Sequence, residues 1–204
     1  SNTGLPQEAK KIAEEVNPDL KIAYTIAEGT PIDMLLELSE TNKMIVMGSR
    51  GMGGLSGMVM GSVSASVVSH ASCPVVVVRE DNHVTDSTKY GPVVVGVDGS
   101  EVSQKATAYA FREAQARGAA LIAVHTWMDM QVQASLAGLS AAQSEWADIE
   151  KEQSELLTEN LKEPREEYPE VEVKKLITRD RPVSALTEAA EGAQLLVVGS
   201  HGRG

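Results

Sequence analysis

The sequence predicts an α/β protein with a doubly wound, Rossmann-like and mostly parallel five-stranded sheet, present as a tandem repeat. Three observations predict this class: a long internal repeat, apolar runs of strand length that alternate with helical patterns, and glycine-rich turns directly after two of these runs. Parallel strands need long crossover connections, so strands that alternate with helices favour a parallel sheet that carries helices on both faces.

The internal repeat relates residues 18–53 to residues 169–204 without a gap, at an offset of 151 residues from Pro18 to Pro169. The matched pairs include Pro31 with Pro182, Leu35 with Leu186, Val46 with Val197, and Gly48 with Gly199. The first copy continues beyond its glycine turn, whereas two strands and two helices precede the second copy. We therefore expect a piece of a longer tandem protein.

This arrangement predicts two partial domains. Residues 1–80 correspond to the C-terminal part of a first domain, and residues 92–204 correspond to the N-terminal part of a second. The polar residues 81–91 between them are interpreted as a linker.

The first partial domain is predicted to have five elements in order. Residues 21–27 are interpreted as a strand, and a helix begins at Pro31, where a missing N–H costs nothing, with Ile32 and Leu35 on one face. The apolar run at 43–48 is typical of a parallel strand that is buried on both faces. A helix over 62–72 and a second buried strand over 74–78 follow the glycine-rich segment.

The second partial domain is predicted to begin with a strand that ends in Asp98, Gly99 and Ser100. The elements that follow are an amphipathic helix over 101–117 that stops at Gly118, a strand over 120–127, a mixed loop, a long charged helix from Ser144 that ends near Pro164, and the strand, helix and strand of the second repeat copy. The charged residues 144–160 are interpreted as a solvated helix face.

Composition and charge exclude several classes of function. The formal net charge is −11, and we find no cluster of Lys and Arg, which argues against binding to nucleic acid or to an anionic membrane. No apolar run approaches the roughly 20 residues that span a bilayer. Cys73, the single cysteine, precedes a valine run and is interpreted as an inert buried thiol, so we expect the reducing cytoplasm as the compartment. The four His and one Cys show no metal-ligand spacing.

The segment GSRGMGGLSGMVMGS, residues 48–62, combines a glycine turn after a buried strand with a Gly-Ser pair at the start of a helix. Open α/β sheets bind ligands at the carboxyl ends of their strands, and the N–H groups of a helix start attract anions. The spacing therefore indicates a phosphate site, with a flexible loop as the alternative interpretation. The segment contains neither the Lys of a Walker A loop nor a Gly-x-Gly-x-x-Gly fingerprint after a first strand.

These segments together resemble the universal stress protein family. The pattern Gly-x2-Gly-x9-Gly-Ser is similar to the family's ATP-binding signature, VVVGVDGS to its first strand, AVHTW to its second, GSHG to the start of a second signature, and CPVVVV to its last strand. The resemblance implies phosphate and ribose contacts in the first signature, a nucleoside contact in the first strand, an adenine contact after the second strand, and part of a second phosphate loop. In that order, the matching residues are Gly48, Arg50, Gly51, Gly61, Ser62 and Val63; Asp98; Thr126; and Gly199, His201 and Gly202.

The family pattern is split between the two partial domains. Asp98 and Thr126 belong to the second, whereas the only complete glycine signature belongs to the first. Asp98 has an alternative role as a cap of the helix that follows it. His125 is interpreted as a satisfied core histidine, and the segment around Met128 and Met130 as either a cover for adenine or an ordinary loop.

The resemblance implies an ATP-binding regulatory module of the stress response, with at most slow ATP hydrolysis, Mg²⁺ as a candidate ion bridging the phosphates, and a homodimer formed through last strands. We find no Ser/His/Asp or Cys/His pattern that would mark a catalytic site. The alternatives are a stress protein of the same fold that acts only through protein contacts, and a nucleotide-dependent hydrolase or transferase.

Overall fold

The computed structural model describes residues 4–26, 28–49, 60–79, 90–127 and 143–202. The chain divides into two compact units, residues 1–78 (unit 1) and residues 79–204 (unit 2). Within the described ranges, no helix is long and apolar enough to cross a membrane.

Unit 1 contains three helices and a two-stranded parallel sheet among its described residues. The elements are α1 (Gly4–Val16), α2 (Pro31–Thr41), β1 (Ile45–Gly48), α3 (Ser62–His70) and β2 (Val75–Val78). Helix α2 begins at Pro31 as predicted, with the side chain of Thr30 accepting a hydrogen bond from the Asp33 amide. Strands β1 and β2 pair in parallel, with Ile45 opposite Val75, and α2 packs against α3.

Unit 2 contains a four-stranded parallel sheet whose strand order reverses between β3 and β6. Its elements are β3 (Val93–Gly96), α4 (Glu101–Arg117), β4 (Leu121–Thr126), α5 (Gln143–Glu167), β5 (Val173–Thr178), α6 (Pro182–Ala189) and β6 (Leu195–Val197). The order in the sheet is β5-β4-β3-β6. Chain connections leave β3 towards β4 on one side and return to β6 on the other, which makes the β3/β6 boundary the topological switch point of a doubly wound fold.

The core of unit 2 has two layers, because helices cover both faces of its sheet. Phe111 of α4 is fully buried in the larger layer, among side chains of α4, α5 and the strands, and its ring stacks on Tyr168 at 6.2 Å between centroids. The smaller layer forms where Ala185 of α6 meets Val94 and Val124. The predicted α/β class is confirmed, with four of the five expected strands described in unit 2 and two in unit 1.

The structure contradicts the predicted strand at residues 21–27, because residues 20–26 have no regular secondary structure. The equivalent segment of the second repeat copy is β5, which pairs along its whole length with β4. A strand requires a hydrogen-bonded neighbour, and the described part of unit 1 offers no equivalent of β4. The same sequence pattern therefore gives a strand in one copy and irregular backbone in the other.

The prediction that the strands before the glycine turns are buried on both faces is also wrong. In each repeat copy one face of this strand is exposed, and the exposed face differs between the two copies. Ile45 is buried in unit 1, which contains α3 and β2, whereas its equivalent Leu196 is 41% exposed, with no described helix after it. Conversely, Val197 packs against the core layer under α4, whereas its equivalent Val46 is 63% exposed in unit 1, whose described residues include no equivalent of α4. Among the residues that the structure describes, each strand face is buried on the side that a helix covers.

Helix α5 differs from the predicted solvated helix in two respects. It passes through Pro164 to end at Glu167, and the Tyr168 amide donates to the Pro164 carbonyl at 2.9 Å to close the last turn. Gln153, Leu157 and Leu161, spaced by four residues, are buried on one face. The charges of α5 therefore occupy the remaining faces of an amphipathic helix.

Candidate functional site

The glycine signature of unit 1 is closed at its base by three hydrogen bonds. The Ser49 amide donates to the Val78 carbonyl at 2.8 Å, which extends the β1–β2 ladder by one residue, and the Gly61 amide donates to the Ser49 carbonyl at 2.8 Å. The Ser64 hydroxyl donates to the Gly48 carbonyl at 2.9 Å. Together these bonds hold the end of the strand beside the start of α3, the arrangement that the phosphate-site hypothesis requires.

The N-cap residue of α3 supplies no side-chain cap. Gly61 holds this position with φ −73° and ψ 159°, and it makes no side-chain cap hydrogen bond. Ser62 and Val63 are the first two helical residues, and their amides belong to the donors that an α-helix cannot satisfy internally. Because any residue can adopt this φ, the backbone conformation itself does not require glycine at position 61. Arg50 and Gly51 lie outside the described residues.

We predict that Ser64→Ala loosens the base of the glycine signature. The Ser64 side chain is buried, so its loss leaves the Gly48 carbonyl without this donor and should lower the free energy of unfolding of unit 1 by about 1 kcal/mol. Hydrogen exchange of the Gly61 amide should become faster. The control is Ser69→Ala in the same helix, because the Ser69 hydroxyl is exposed and bonds only locally to the Ala65 carbonyl. Equal exchange in both variants would contradict the prediction.

Asp98 follows β3 at the switch point of unit 2, and hydrogen bonds to the start of α4 hold it in place. Its Oδ1 accepts a hydrogen bond from the Ser100 amide at 2.9 Å, and its own amide donates to Ser103 Oγ at 3.0 Å. The N-cap of α4 is Ser100, whose hydroxyl accepts from the Ser103 amide at 3.2 Å. The interpretation of Asp98 as the helix cap is therefore wrong, since a neighbouring serine performs that role.

The second carboxylate oxygen of Asp98 faces the glycine segment that follows β6. A Cβ atom at position 202 would lie 3.3 Å from Asp98 Oδ2. At Gly199, a Cβ would lie 3.0 Å from Val102 Cγ1 and 3.1 Å from the His201 carbonyl oxygen. Neither glycine has a positive φ, so close approach rather than backbone conformation favours glycine at both positions. The side chain of His201 is exposed, and its Nδ1 lies 3.1 Å from the Ser200 hydroxyl.

His125 and Thr126 end β4, the strand that pairs with β3 on the side away from the switch point. Thr126 is half-buried at the carboxyl edge. His125 is buried; its Nδ1 donates to the Val97 carbonyl at 2.6 Å, and its Nε2 lies 2.9 Å from the side-chain amide oxygen of Gln153 on α5. It is thus a hydrogen-bonded core histidine, as interpreted from the sequence, and it bonds to the residue directly before Asp98.

A stacked pair lies next to Thr126 at the same edge of the sheet. Trp127 follows β4 and Arg179 follows β5, and the Arg179 guanidinium carbon lies 5.6 Å from the centroid of the Trp127 ring. The parallel register sets Thr126 opposite Thr178, which brings the two following residues side by side. Their separation of 52 residues in sequence left no local signal for this pair.

The pKa values of three groups in unit 2 are shifted. A hydrogen bond from Lys105, and then its charge, lower the pKa of Glu101 at the exposed start of α4. Burial, followed by the charge of Glu113, raises the pKa of Tyr109, and a hydrogen bond with Glu167 raises that of Tyr168. Both tyrosines lie outside the carboxyl edge, so their shifts mark structural surroundings rather than the site.

The structure brings the predicted residues together in two sets, one in each unit. Asp98, Gly199 and Gly202 meet at the switch point of unit 2, with Thr126 one strand away. Gly48, Gly61, Ser62 and Val63 form the base of the glycine signature in unit 1. Among the residues that the structure describes, no group of three or more His, Cys, Asp or Glu side chains could hold a metal ion. Sequence reasoning did not identify Ser64 or Ser103 as the residues that position the two loops.

Comparison with known proteins matches both parts of the chain to one family. The sequence model described as "Universal stress protein family" matches residues 3–79 and 89–204. Universal stress protein Rv2005c of Mycobacterium tuberculosis is 42% identical over 199 residues, covering 96% of this chain and 65% of that protein. Universal stress protein Rv1996 of the same organism is 40% identical over 203 residues, covering 98% of this chain and 63% of that protein. The chain thus spans slightly less than two thirds of these relatives.

A solved structure supports the fold independently. The crystal structure of a universal stress protein from Archaeoglobus fulgidus DSM 4304 superposes with a TM-score of 0.57 at 21% sequence identity, covering 95% of this chain and 65% of that one. Similarity at this level of identity concerns the fold, which agrees with the doubly wound architecture described above.

Proposed function

This chain belongs to the universal stress protein family. We propose that it binds an adenine nucleotide at the carboxyl edge of the four-stranded parallel sheet of unit 2 and acts as a nucleotide-dependent regulatory module. The observation that carries the proposal is the close approach of Gly202 to Asp98 Oδ2 at the switch point of unit 2. A carboxylate beside exposed main chain, at the position where doubly wound sheets bind ligands, suits a nucleoside.

Asp98 supplies the acceptor for this ligand. The Ser100 amide engages its Oδ1, which fixes the carboxylate plane and directs Oδ2 towards the glycine segment after β6. A carboxylate only accepts hydrogen bonds, and ribose hydroxyls are donors, so the charge-assisted bond fixes the sugar. Gly199 and Gly202 have no side chain, which lets the main chain after β6 approach Val102 and Asp98 closely.

Within unit 1, taken by itself, the glycine signature has chemistry suited to a phosphate group. The N-cap residue Gly61 gives the first turn of α3 no side-chain cap, and the positive end of the helix dipole favours an anion. With a net charge of −11 on the chain, local main-chain donors rather than the overall field must hold a triphosphate. We expect Mg²⁺ to bind together with the nucleotide, coordinated by its phosphate oxygens, because hard cations prefer oxygen ligands. The proposal includes no fast reaction of the bound nucleotide, because nucleotide binding is itself the regulatory event.

We predict that Asp98→Asn weakens ATP binding about 10- to 100-fold, because a hydrogen bond to a charged group contributes roughly 1.5–3 kcal/mol. The asparagine keeps an oxygen for the Ser100 amide, so the fold should survive. The measurement is isothermal titration of the intact chain with Mg-ATP. Asp148→Asn is the matched control, since it also removes one carboxylate, from the exposed surface of α5 in the same unit.

Three outcomes would contradict the proposal. Equal ATP affinity of the Asp98 and Asp148 variants would remove Asp98 from the site. Absence of binding by the unmodified chain at millimolar ATP would favour the alternative of a stress protein that acts through protein contacts. Rapid turnover of ATP, abolished by a single side-chain substitution, would instead favour a hydrolase or transferase.

A further inference from the structure

The peptide group between Val97 and Asp98 is held by side chains of two other elements, to which the nucleotide proposal above assigns no role. We propose that His125 and Ser103 are positioning residues, which clamp this peptide group and thereby set the direction of the Asp98 carboxylate towards the nucleotide. This inference rests on the proposed function and deepens it, because it names the residues that hold the acceptor of the site in place.

Both polar ends of this peptide group have a side-chain partner. At one end, His125 Nδ1 donates to the Val97 carbonyl oxygen at 2.6 Å. At the other end, the Asp98 amide donates to Ser103 Oγ at 3.0 Å. The partners lie on β4 and in the first turn of α4, so the peptide group is bonded to two different elements. Because a peptide group is planar, bonds at its two ends together fix its rotation.

The two partners of the peptide group are themselves buried and bonded. His125 is 4% exposed and Ser103 is 3% exposed. The second ring nitrogen of His125 lies 2.9 Å from the side-chain amide oxygen of Gln153 on α5, so both nitrogens of the ring have a partner. A buried polar group that loses its partner is costly. The native orientation of the peptide group is therefore strongly favoured over a rotated one.

The orientation of this peptide group determines where the Asp98 side chain points. Rotation of the peptide plane changes φ of Asp98, and the Cα–Cβ bond turns with the main chain. The Ser100 amide bonds to Oδ1 within the same loop, whereas the clamp joins the loop to β4 and to α4. A binding group must be held within about 0.5 Å of its productive position by such supporting bonds. The clamp thus acts on the nucleotide through the carboxylate.

Two substitutions at position 125 separate the clamp from simple packing. The amide nitrogen of asparagine is attached to Cγ, as Nδ1 of histidine is, whereas the amide nitrogen of glutamine reaches the position of Nε2. His125→Asn therefore keeps a donor for the Val97 carbonyl and loses the contact with Gln153, and His125→Gln does the reverse. Both variants lose the imidazole ring. A purely structural role of this ring predicts that the two variants bind ATP with similar affinity.

The experiment measures the binding of Mg-ATP to the full chain by isothermal titration. The clamp variants are His125→Gln, His125→Asn and Ser103→Ala, which removes the acceptor of the Asp98 amide. Thr107→Val is the matched control, because Thr107 is also a buried hydroxyl residue of α4 but donates to the Ser103 carbonyl, outside the clamp. His125→Gln and Ser103→Ala are also combined with Asp98→Asn. Urea unfolding followed by tryptophan fluorescence checks that each variant is folded.

We expect His125→Gln and Ser103→Ala each to lower ATP affinity about 2- to 10-fold, the effect of losing one hydrogen bond. His125→Asn should retain more of the ATP affinity than His125→Gln, and Thr107→Val should bind ATP like the unmodified chain. In the chain that already carries Asp98→Asn, the clamp substitutions should lower ATP affinity by less than about twofold, because they act through the carboxylate.

Three results would overturn the inference and leave the proposed function intact. They are ATP binding by His125→Asn that is no tighter than that of His125→Gln, equal ATP affinity of Ser103→Ala and Thr107→Val, and a full additional loss when the clamp substitutions are combined with Asp98→Asn. If the His125 variants do not fold, the comparison of Ser103→Ala with Thr107→Val decides. An unmodified chain that binds no ATP overturns the proposed function and this inference together.

Discussion

Phe111→Ala should lower the free energy of unfolding of unit 2 by about 3–5 kcal/mol, the range measured for deletion of a buried phenylalanine from a packed core. Phe111 is fully buried in the larger core layer. Its loss removes the contacts of one ring and leaves a cavity between α4, α5 and the sheet. The stacking partner Tyr168 also loses its aromatic contact. For a domain of ordinary stability, this loss is a large fraction of the total.

Urea denaturation followed by tryptophan fluorescence measures this effect in unit 2 alone. Trp127 and Trp146 are the only tryptophans in the sequence, and both lie within residues 79–204. Arg112→Ala is the control, since it truncates the neighbouring exposed side chain of the same helix. A loss below about 1 kcal/mol for Phe111→Ala would mean that the described core layer does not carry the stability of unit 2.

His125→Ala is expected to have the second largest effect, a loss of about 2–4 kcal/mol in unit 2. The substitution leaves the Val97 carbonyl and the Gln153 amide without their shared partner inside the core. Each buried polar group left unsatisfied costs roughly 1–3 kcal/mol. Because Val97 precedes Asp98, the variant should also misplace the carboxylate and weaken ATP binding.

A double-mutant cycle with Gln153→Ala isolates the bridge between β4 and α5. The two substitutions should be non-additive by about 0.5–3 kcal/mol, because the first already removes the partner of the second. His201→Ala, which removes an exposed imidazole from the same unit, should change the free energy of unfolding by less than about 0.5 kcal/mol. Strict additivity in the cycle would show that the bridge contributes nothing to stability.

Local signals in the sequence were sufficient for the α/β class and for several helix boundaries. Pro31 after Thr30 predicts the start of α2, and Gly118 predicts the end of α4, where the structure shows a left-handed C-cap residue with φ 60°. These signals act within one turn of the chain, so no knowledge of distant contacts is needed.

The errors arose where distant contacts decide the outcome. Residues 21–27 have the pattern of β5 but lack the neighbour that makes β5 a strand, and Val46 matches Val197 but lacks the helix that buries it. Asp98 and Ser100 both belong to residue types that cap helices, and only the geometry shows that Ser100 does so. In the same way, the motif in the sequence predicted the glycines of the site, whereas their close approach to Val102 and Asp98 could be identified only in the folded chain.

The net charge of −11 has a consequence for the protein in concentrated solution. Like charges keep separate molecules apart by mutual repulsion. Dissolved salt shortens the reach of that repulsion to about 10 Å at 0.1 M. Ionic strength therefore sets how closely two molecules of this chain approach each other.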